Sequence, residues 1–301
     1  MHSIHRRNFL FTTAAAAAAT LAGARAEPAE PVIDIHQHTD YSGRTDEQML
    51  AHQRTMGVSH TVLLPAGRFF GLEAGASGND RVQEVARAHP GEYFFFANEV
   101  PYLSDAREVI TAALKAGALG IGEQKFMVDA DSRAVGIVAD IAAEFHVPVL
   151  LHFQYGRYNT SFERFHTILE KYPTVNFLGH AQTWWANIDA KADQTVLYPK
   201  GPVAPGGITD RLLTDYPNMF GDMSAGSGLN AMLRDEDHAR GFLARHQDKL
   251  MYGSDCSDSV GTGEKCSGSQ MLATIRRLAP DKSAERKILF SNAKQVLKMP
   301  V

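Results

Sequence analysis

The chain has 301 residues, 44% of them hydrophobic, with 30 basic against 34 acidic side chains and a formal charge of −4. That size and balance suit a soluble globular protein with a large core and offer no basic patch of the kind a nucleic-acid partner requires. Past the N-terminus the hydrophobic runs are short and interrupted, so no membrane span is expected. Two cysteines, Cys256 and Cys266, exclude a disulfide framework and leave one bridge or two free thiols open.

Residues 1–26 read as a separate object. Arg6-Arg7-Asn8-Phe9-Leu10 is followed by a modest Ala-rich apolar stretch, and Ala24-Arg25-Ala26 places small residues where a signal peptidase reads. The segment resembles a twin-arginine export signal cut before Glu27. That resemblance implies recognition by the twin-arginine export machinery, folding before export, and a periplasmic or otherwise exported protein. The segment carries three arginines and no acid, so its removal takes the formal charge from −4 to −7. The double substitution Arg6→Lys, Arg7→Lys should strand the protein in the cytoplasm; periplasmic fractionation that still recovers it would show the signal is misread.

Residues 27–301 then repeat one unit: a β-branched or aromatic run, a polar loop, an amphipathic helix. The strands are expected at Val32–His38, Thr61–Pro65, Tyr93–Glu99, Ala118–Phe126, Pro148–Phe153, Val175–His180, Met219–Met223 and Leu250–Asp255. Helices are expected at Asp46–Met56, Asp80–Ala88, Ala106–Ala116, Ser132–Phe145, Phe162–Lys171, Thr209–Asp215, Glu236–Arg245, Ser269–Leu278 and Glu285–Leu297. Continuous apolar runs such as Val147-Pro148-Val149-Leu150-Leu151 fit parallel strands covered on both faces. The alternation and a length of about 275 residues point to an α/β fold of the (β/α)8 TIM-barrel type. A doubly wound open sheet is the alternative, and no Gly-rich phosphate loop follows the first strand to support it. Three long inserts, Gly67–Asn79, Gln182–Ile208 and Ser254–Ser269, all follow strands and so belong to the barrel's C-terminal face.

Ionisable residues gather at the strand ends. His36 and His38 stand two apart, so a strand aims both imidazoles at one face. Glu99, Glu123 with Lys125, His152, His180, Asp222 and Asp255 occupy the ends of later strands. In a parallel barrel these ends ring one mouth, and imidazole and carboxylate together suit a divalent cation. Glu99 is a candidate partner for a ligand histidine or a solvated strand end, and Asp222 is read as structural, bonding loop amides. His52, His60, His89, His146, His166, His238 and His246 lie on or near helices and are expected at the surface. Trp184 and Trp185 are read as a lid, an aromatic wall, ordinary packing or part of a homo-oligomer interface.

His36-Gln37-His38, Leu151-His152, Gly179-His180 and Gly253-Ser254-Asp255, with the closing Ile288-Leu289-Phe290-Ser291-Asn292-Ala293, resemble the amidohydrolase superfamily. Within it they resemble the amidohydrolase-related group (amidohydrolase 2) across nearly the whole of 27–301. The resemblance implies that His36, His38, His152 and Asp255 are metal ligands. His180 would be a second-site ligand or a residue orienting substrate or water, and catalytic together with Asp255, which would also take a proton from metal-activated water. On the fourth strand relatives carry a bridging carboxylated lysine or glutamate. Glu123 is the preferred ligand here, because Ile121-Gly122-Glu123 resembles the glutamate form, and Lys125 is then free to bind a substrate carboxylate. Tyr155 and Arg157 are candidate substrate-binding residues. The implied cofactor is one or two divalent ions, zinc first and manganese second. The implied reaction is hydrolysis of an ester, lactone or amide bond of a small molecule. Non-oxidative decarboxylation, or a metal-binding barrel without catalysis, stays open.

Overall fold

The computed structural model describes residues 30–68 and 75–301; the candidate export signal at 1–26 and residues 69–74 of the first insert lie outside the described residues. Eight strands are present among them: β1 (Ile33–Gln37), β2 (His60–Leu63), β3 (Tyr93–Phe95), β4 (Ile121–Gln124), β5 (Val149–His152), β6 (Phe177–His180), β7 (Met219–Asp222) and β8 (Leu250–Met251). They pair in parallel and in chain order, β1 to β3 and β4 to β8. The two runs join where Gly122 N donates to Ala97 O and Ala97 N to Gly120 O, both at 2.8 Å. The ring closes where Ile35 N donates to Tyr252 O at 3.1 Å. Among the described residues closure leaves no sheet edge.

Two layers of apolar packing hold the barrel. Inside, Ile33, Ile35, Val62, Leu64, Phe96, Leu150, Leu178 and Met251 form one buried cluster, closed at the bottom by Ala293, Val296 and Leu297. Ala293 and Val296 belong to, and Leu297 directly follows, the C-terminal helical run of α11 (Lys282–Arg286), a π turn (Lys287–Ser291) and α12 (Asn292–Val296). Asn292 anchors this plug by donating to Gln247 O and Leu250 O. Outside, the opposite strand faces meet α1 (Asp46–Met56), α2 (Asn79–Ala88), α3 (Ala106–Lys115), α4 (Arg133–Phe145), α5 (His166–Lys171), α7 (Ile208–Asp215), α9 (Glu236–His246) and α10 (Ser267–Leu278).

Two helices depart from the expected pattern. α6 (Ala181–Ala186) begins directly after His180, and α8 (Ala225–Leu233) fills the loop after β7. The α8 sequence is rich in Gly and Ser, weak in intrinsic helix preference. Burial of Ala231 and Met232 overrides that weakness. Trp184 and Trp185, on α6, are 0% and 1% exposed and belong to the outer core, so they are packing residues and not a lid. Trp184 lies so close over β6 that a Cβ on Gly179 would meet its ring at 2.4 Å, which is why a glycine precedes His180.

His246 corrects another expectation, because it is buried on α9 and its Nε2 donates to Asp210 at 2.6 Å. Burial holds the His246 pKa below its ordinary 6.5. Burial raises the Asp210 carboxyl, but His246 and Arg245 outweigh it and leave the carboxyl below 3.8. Both groups therefore bind fewer protons folded than unfolded, so both contributions are lost as pH falls. The denaturation midpoint should decline with acid from about pH 6.5, less steeply in His246→Gln; equal slopes would remove His246 from the balance.

Candidate metal centre

The β1 ladder shifts register between Asp34 and Gln37, and the β4 ladder between Ile121 and Gln124. Such irregularities re-aim side chains beside active sites. Asp34 turns outward to accept from Gln53 Nε2 of α1 at 2.9 Å. His36, of the same parity, instead reaches Asp222 on β7. On β4, Ile121 packs in the outer core while Glu123 faces the mouth histidines.

The hydrogen bonds settle which ring nitrogens are bare. His38 Nδ1 lies 2.7 Å from Leu64 O, an acceptor only, so Nδ1 carries the proton. His36 Nδ1 likewise donates to Asp222 Oδ2 at 2.6 Å. The Ser224 hydroxyl donates to Asp222 Oδ2 at 3.0 Å and accepts from His180 Nδ1 at 3.0 Å. The three Nε2 lone pairs of His36, His38 and His180 therefore converge. Those of His36 and His38 stand 3.1 Å apart. Two bare nitrogens at that distance repel, and either a proton on one of them or a cation between them relieves it; two nitrogens bound tetrahedrally to one ion at ~2.05 Å would stand about 3.3 Å apart.

Two carboxylates complete the ring. Glu123 Oε2 lies 3.7 Å from both His36 Nε2 and His38 Nε2, while Oε1 lies 3.7 Å from His180 Nε2 and contacts His152 Nδ1. Asp255 Oδ1 is 3.5 Å from His38 Nε2, and Oδ2 is 3.5 Å from His180 Nε2. His180 Nε2 and Asp255 Oδ1 are buried without a hydrogen-bond partner. Orphaned polar atoms at the centre of a donor ring are what a bound ion would satisfy, so the residues present fit a divalent cation. The closest donor groups are His36, His38 and Asp255, and His36, Glu123 and His180. His152 joins them through Glu123, with its Nε2 3.3 Å from Gln154 Oε1.

Charge follows the same geometry. Burial lowers the His36 pKa, yet the Asp255 and Asp222 charges outweigh it and hold the imidazole well above 6.5. Burial raises Glu123, but His152 and His36 pull it well below the ordinary carboxylate value. Asp255 is likewise raised by burial and pulled far down by His36, His180 and His38. A proton and a metal ion therefore compete for the same position at His36.

Two of the candidate substrate residues, Lys125 and Arg157, lie beside one ring. Lys125 Nζ is 5.4 Å and Arg157 Cζ 5.1 Å from the Tyr158 ring centre, and that ring meets His152 edge-on at 5.6 Å. Tyr155 is 50% exposed, its amide donating to Thr183. Sequence reasoning missed Tyr41, on the turn Tyr41–Gly43 after β1, whose ring packs on His38 at 5.0 Å. Asp255 raises its hydroxyl pKa, first by charge, so the phenol stays a donor. Only its place in a βα loop could have pointed to it.

Two readings need correction. Glu99 accepts from Arg68 Nε at 2.6 Å and from the Arg68 and Val100 amides, and so anchors a loop and not a ligand histidine. Asp222 bonds the Ser224 amide, as expected of a structural residue, but it also orients His36. Partners that hold a ligand histidine in this way are worth 10–100-fold in metal affinity. Asp222→Ala should therefore weaken metal binding by about that factor in a chelator competition. Unchanged affinity would reduce Asp222 to a loop anchor.

No family model matches the chain, and no curated protein matches it by sequence. Solved structures do match. An uncharacterised TIM-barrel protein from Bordetella bronchiseptica aligns with a TM-score of 0.64 at 13% identity, over 89% of this chain and 98% of its own. This chain is a (β/α)8 TIM barrel. A probable 2-pyrone-4,6-dicarboxylic acid hydrolase from Acinetobacter baumannii, with citric acid bound, aligns at TM-score 0.60 and 12% identity over 89% of this chain and 99% of its own. A 5-carboxyvanillate decarboxylase from Novosphingobium aromaticivorans, complexed with manganese and 4-hydroxy-3-methoxy-5-nitrobenzoic acid, aligns at 0.57 and 12% over 91% and 97%. Among the described residues of the barrel no helix is long and apolar enough to cross a membrane.

Proposed function

We propose that the protein is a metal-dependent hydrolase of the amidohydrolase type, acting on an ester, lactone or amide bond of a small carboxylate-bearing molecule. One observation carries the reading: Glu123 turns Oε2 to His36 and His38 and Oε1 to His152 and His180. Glu123 would then serve as a ligand on both sides of the mouth, and a pair of ions held there would supply the water activation that hydrolysis needs. His36, His38 and Asp255 would hold one ion, and His152 and His180 the other. Imidazole-rich donors favour zinc, and the carboxylate oxygens accept manganese. Divalent ions held here supply Lewis acidity and a more acidic water.

The side chains then divide the work. Asp255 is ionised, is 12% exposed and has a free Oδ1, so it can accept the proton of the attacking water. His180, fixed by its Nδ1 bond to Ser224, keeps Nε2 turned to the mouth, where it would hold an ion beside the substrate carbonyl. Lys125 and Arg157, both beside Tyr158, offer two cations to a substrate carboxylate. An acid substrate also agrees with the neighbours, one named for a pyrone dicarboxylic acid and the other for a carboxyvanillate.

The decarboxylase reading has its own support in the manganese-bound neighbour. Anomalous scattering maps and a substrate panel separate the two. The hydrolase reading expects two peaks flanking Glu123 and cleavage of carboxylated lactones or esters. A single peak, with carbon dioxide released from a carboxylated phenol, would overturn it in favour of the lyase.

A further inference from the structure

Cys256 follows Asp255 directly, and Cys266 caps the N-terminus of α10. Both are free thiols, and their sulfurs stand 3.7 Å apart, well beyond the ~2.05 Å of a disulfide. His52, expected at the surface, instead faces inward on α1 and is 0% exposed. Its Nε2 lies 3.3 Å from Cys266 Sγ. Met56, one turn later on the same face of α1, places Sδ 3.7 Å from the same sulfur. One donor atom from each of His52, Cys256 and Cys266 lies within 4.8 Å of the other two.

We propose that His52, Cys256 and Cys266 form a second metal site, distinct from the barrel mouth, that takes a thiophilic d10 cation, zinc(II) or copper(I), with the Met56 thioether beside it. The spacing fits such an ion. Bonds of ~2.3 Å to sulfur and ~2.05 Å to nitrogen in a tetrahedral shell put two sulfurs about 3.8 Å apart and sulfur and nitrogen about 3.5 Å apart. Two thiols in plain contact would reach a similar separation. They would not also need a buried imidazole turned on them from one helix and a thioether from its next turn. The donor set is soft, unlike the oxygen-containing ring at the mouth, and so selects zinc or copper(I) over magnesium, calcium or manganese. No redox change is involved. Each thiol gives its proton to solvent, and the two thiolates neutralise a zinc ion or leave one negative charge on copper(I). The Arg44 guanidinium, which donates to Cys256 O at 2.8 Å, sits beside that charge.

The site would join three segments: α1, the loop after β8 and the start of α10. That loop already presses on α1 here. Gly261 has φ +85°, and a Cβ on it would meet His52 O at 2.6 Å. An ion held by Cys256 would thus tie down the residue next to Asp255. The inference does not depend on which reaction the mouth performs.

The test uses the full chain, purified under reducing conditions, stripped with a chelator and titrated with cobalt(II) alone. A thiolate-to-cobalt charge-transfer band is expected, rising to the intensity of one thiolate-bound cobalt per chain. It should persist in His36→Ala, which disables the mouth, and vanish in Cys256→Ser, Cys266→Ser. His52→Gln should weaken it at least tenfold. Displacement by zinc(II) or by copper(I), each added alone, then tells which ion the site holds, and X-ray absorption at that metal's edge should show sulfur ligands. A folded wild type with two titratable thiols and no such band would overturn the proposal. So would thiols that oxidise to a disulfide in preference to binding metal. Both readouts come from the wild type, so they decide the matter even if the cysteine variant fails to fold. A missing band with anomalous peaks still present at the mouth would overturn this site alone.

Discussion

Asp255→Asn is expected to keep much of its metal and to lose turnover by roughly 10²–10⁴-fold, the range a positioned general base contributes. Asparagine preserves the shape and one oxygen but removes the charge and the basicity. Asp255 Oδ1 lies 3.5 Å from His38 Nε2 and Oδ2 3.5 Å from His180 Nε2, so the amide oxygen can still face the ring that His36, His38, Glu123 and His180 form. The wild-type carboxyl is held far below its ordinary 3.8. It is therefore ionised throughout the working range, and any acid limb near neutrality should survive in the variant. Metal content and single-turnover rates measured on the same sample decide the matter. Turnover lost in step with metal would leave Asp255 a ligand only, and full turnover would move the base to Glu123 or His180.

The second large effect is loss of the metal itself. His36→Ala and His38→Ala each remove one of two Nε2 lone pairs 3.1 Å apart. Lewis-acid stabilisation is worth several kcal/mol, and each 1.36 kcal/mol is a factor of ten, so turnover should fall by ~10³-fold or more. His166→Ala is the control: its Nδ1 meets only Glu163 O, on the outside of the barrel at α5. Metal retention in the wild type should also weaken as pH falls, because the raised His36 pKa lets a proton compete for the same nitrogen. A His166→Ala protein empty of metal would mean the strand ends do not form the site.

The strands and most helices were legible because their cause is local. Parallel strands buried on both faces must be apolar throughout, as Val149 to Leu151 are, and turn residues such as Gly57 stop the helix before them. Misreadings fell where burial acts against local chemistry. His52 and His246 look like surface residues on amphipathic helices, yet each is buried because a polar partner waits inside. Those partners, Cys266 and Asp210, are 214 and 36 residues away.

The sequence by itself determined the repeat of strand and helix and the bias of His, Glu and Asp toward strand ends, because hydrophobic period and residue type are properties of single segments. It also determined that those ends share one mouth, since parallel βα units place every C-terminus on the same side. Only the tertiary structure decided which atoms meet. The register shifts in β1 and β4, which no pattern of residue types encodes, turn His36 and Glu123 into the mouth. Asp222, 186 residues from His36, sets the tautomer that leaves Nε2 bare. Where a hydrogen bond spans the closed barrel, the choice of donor and acceptor belongs to the ring of strands as a whole, and a single segment cannot carry it.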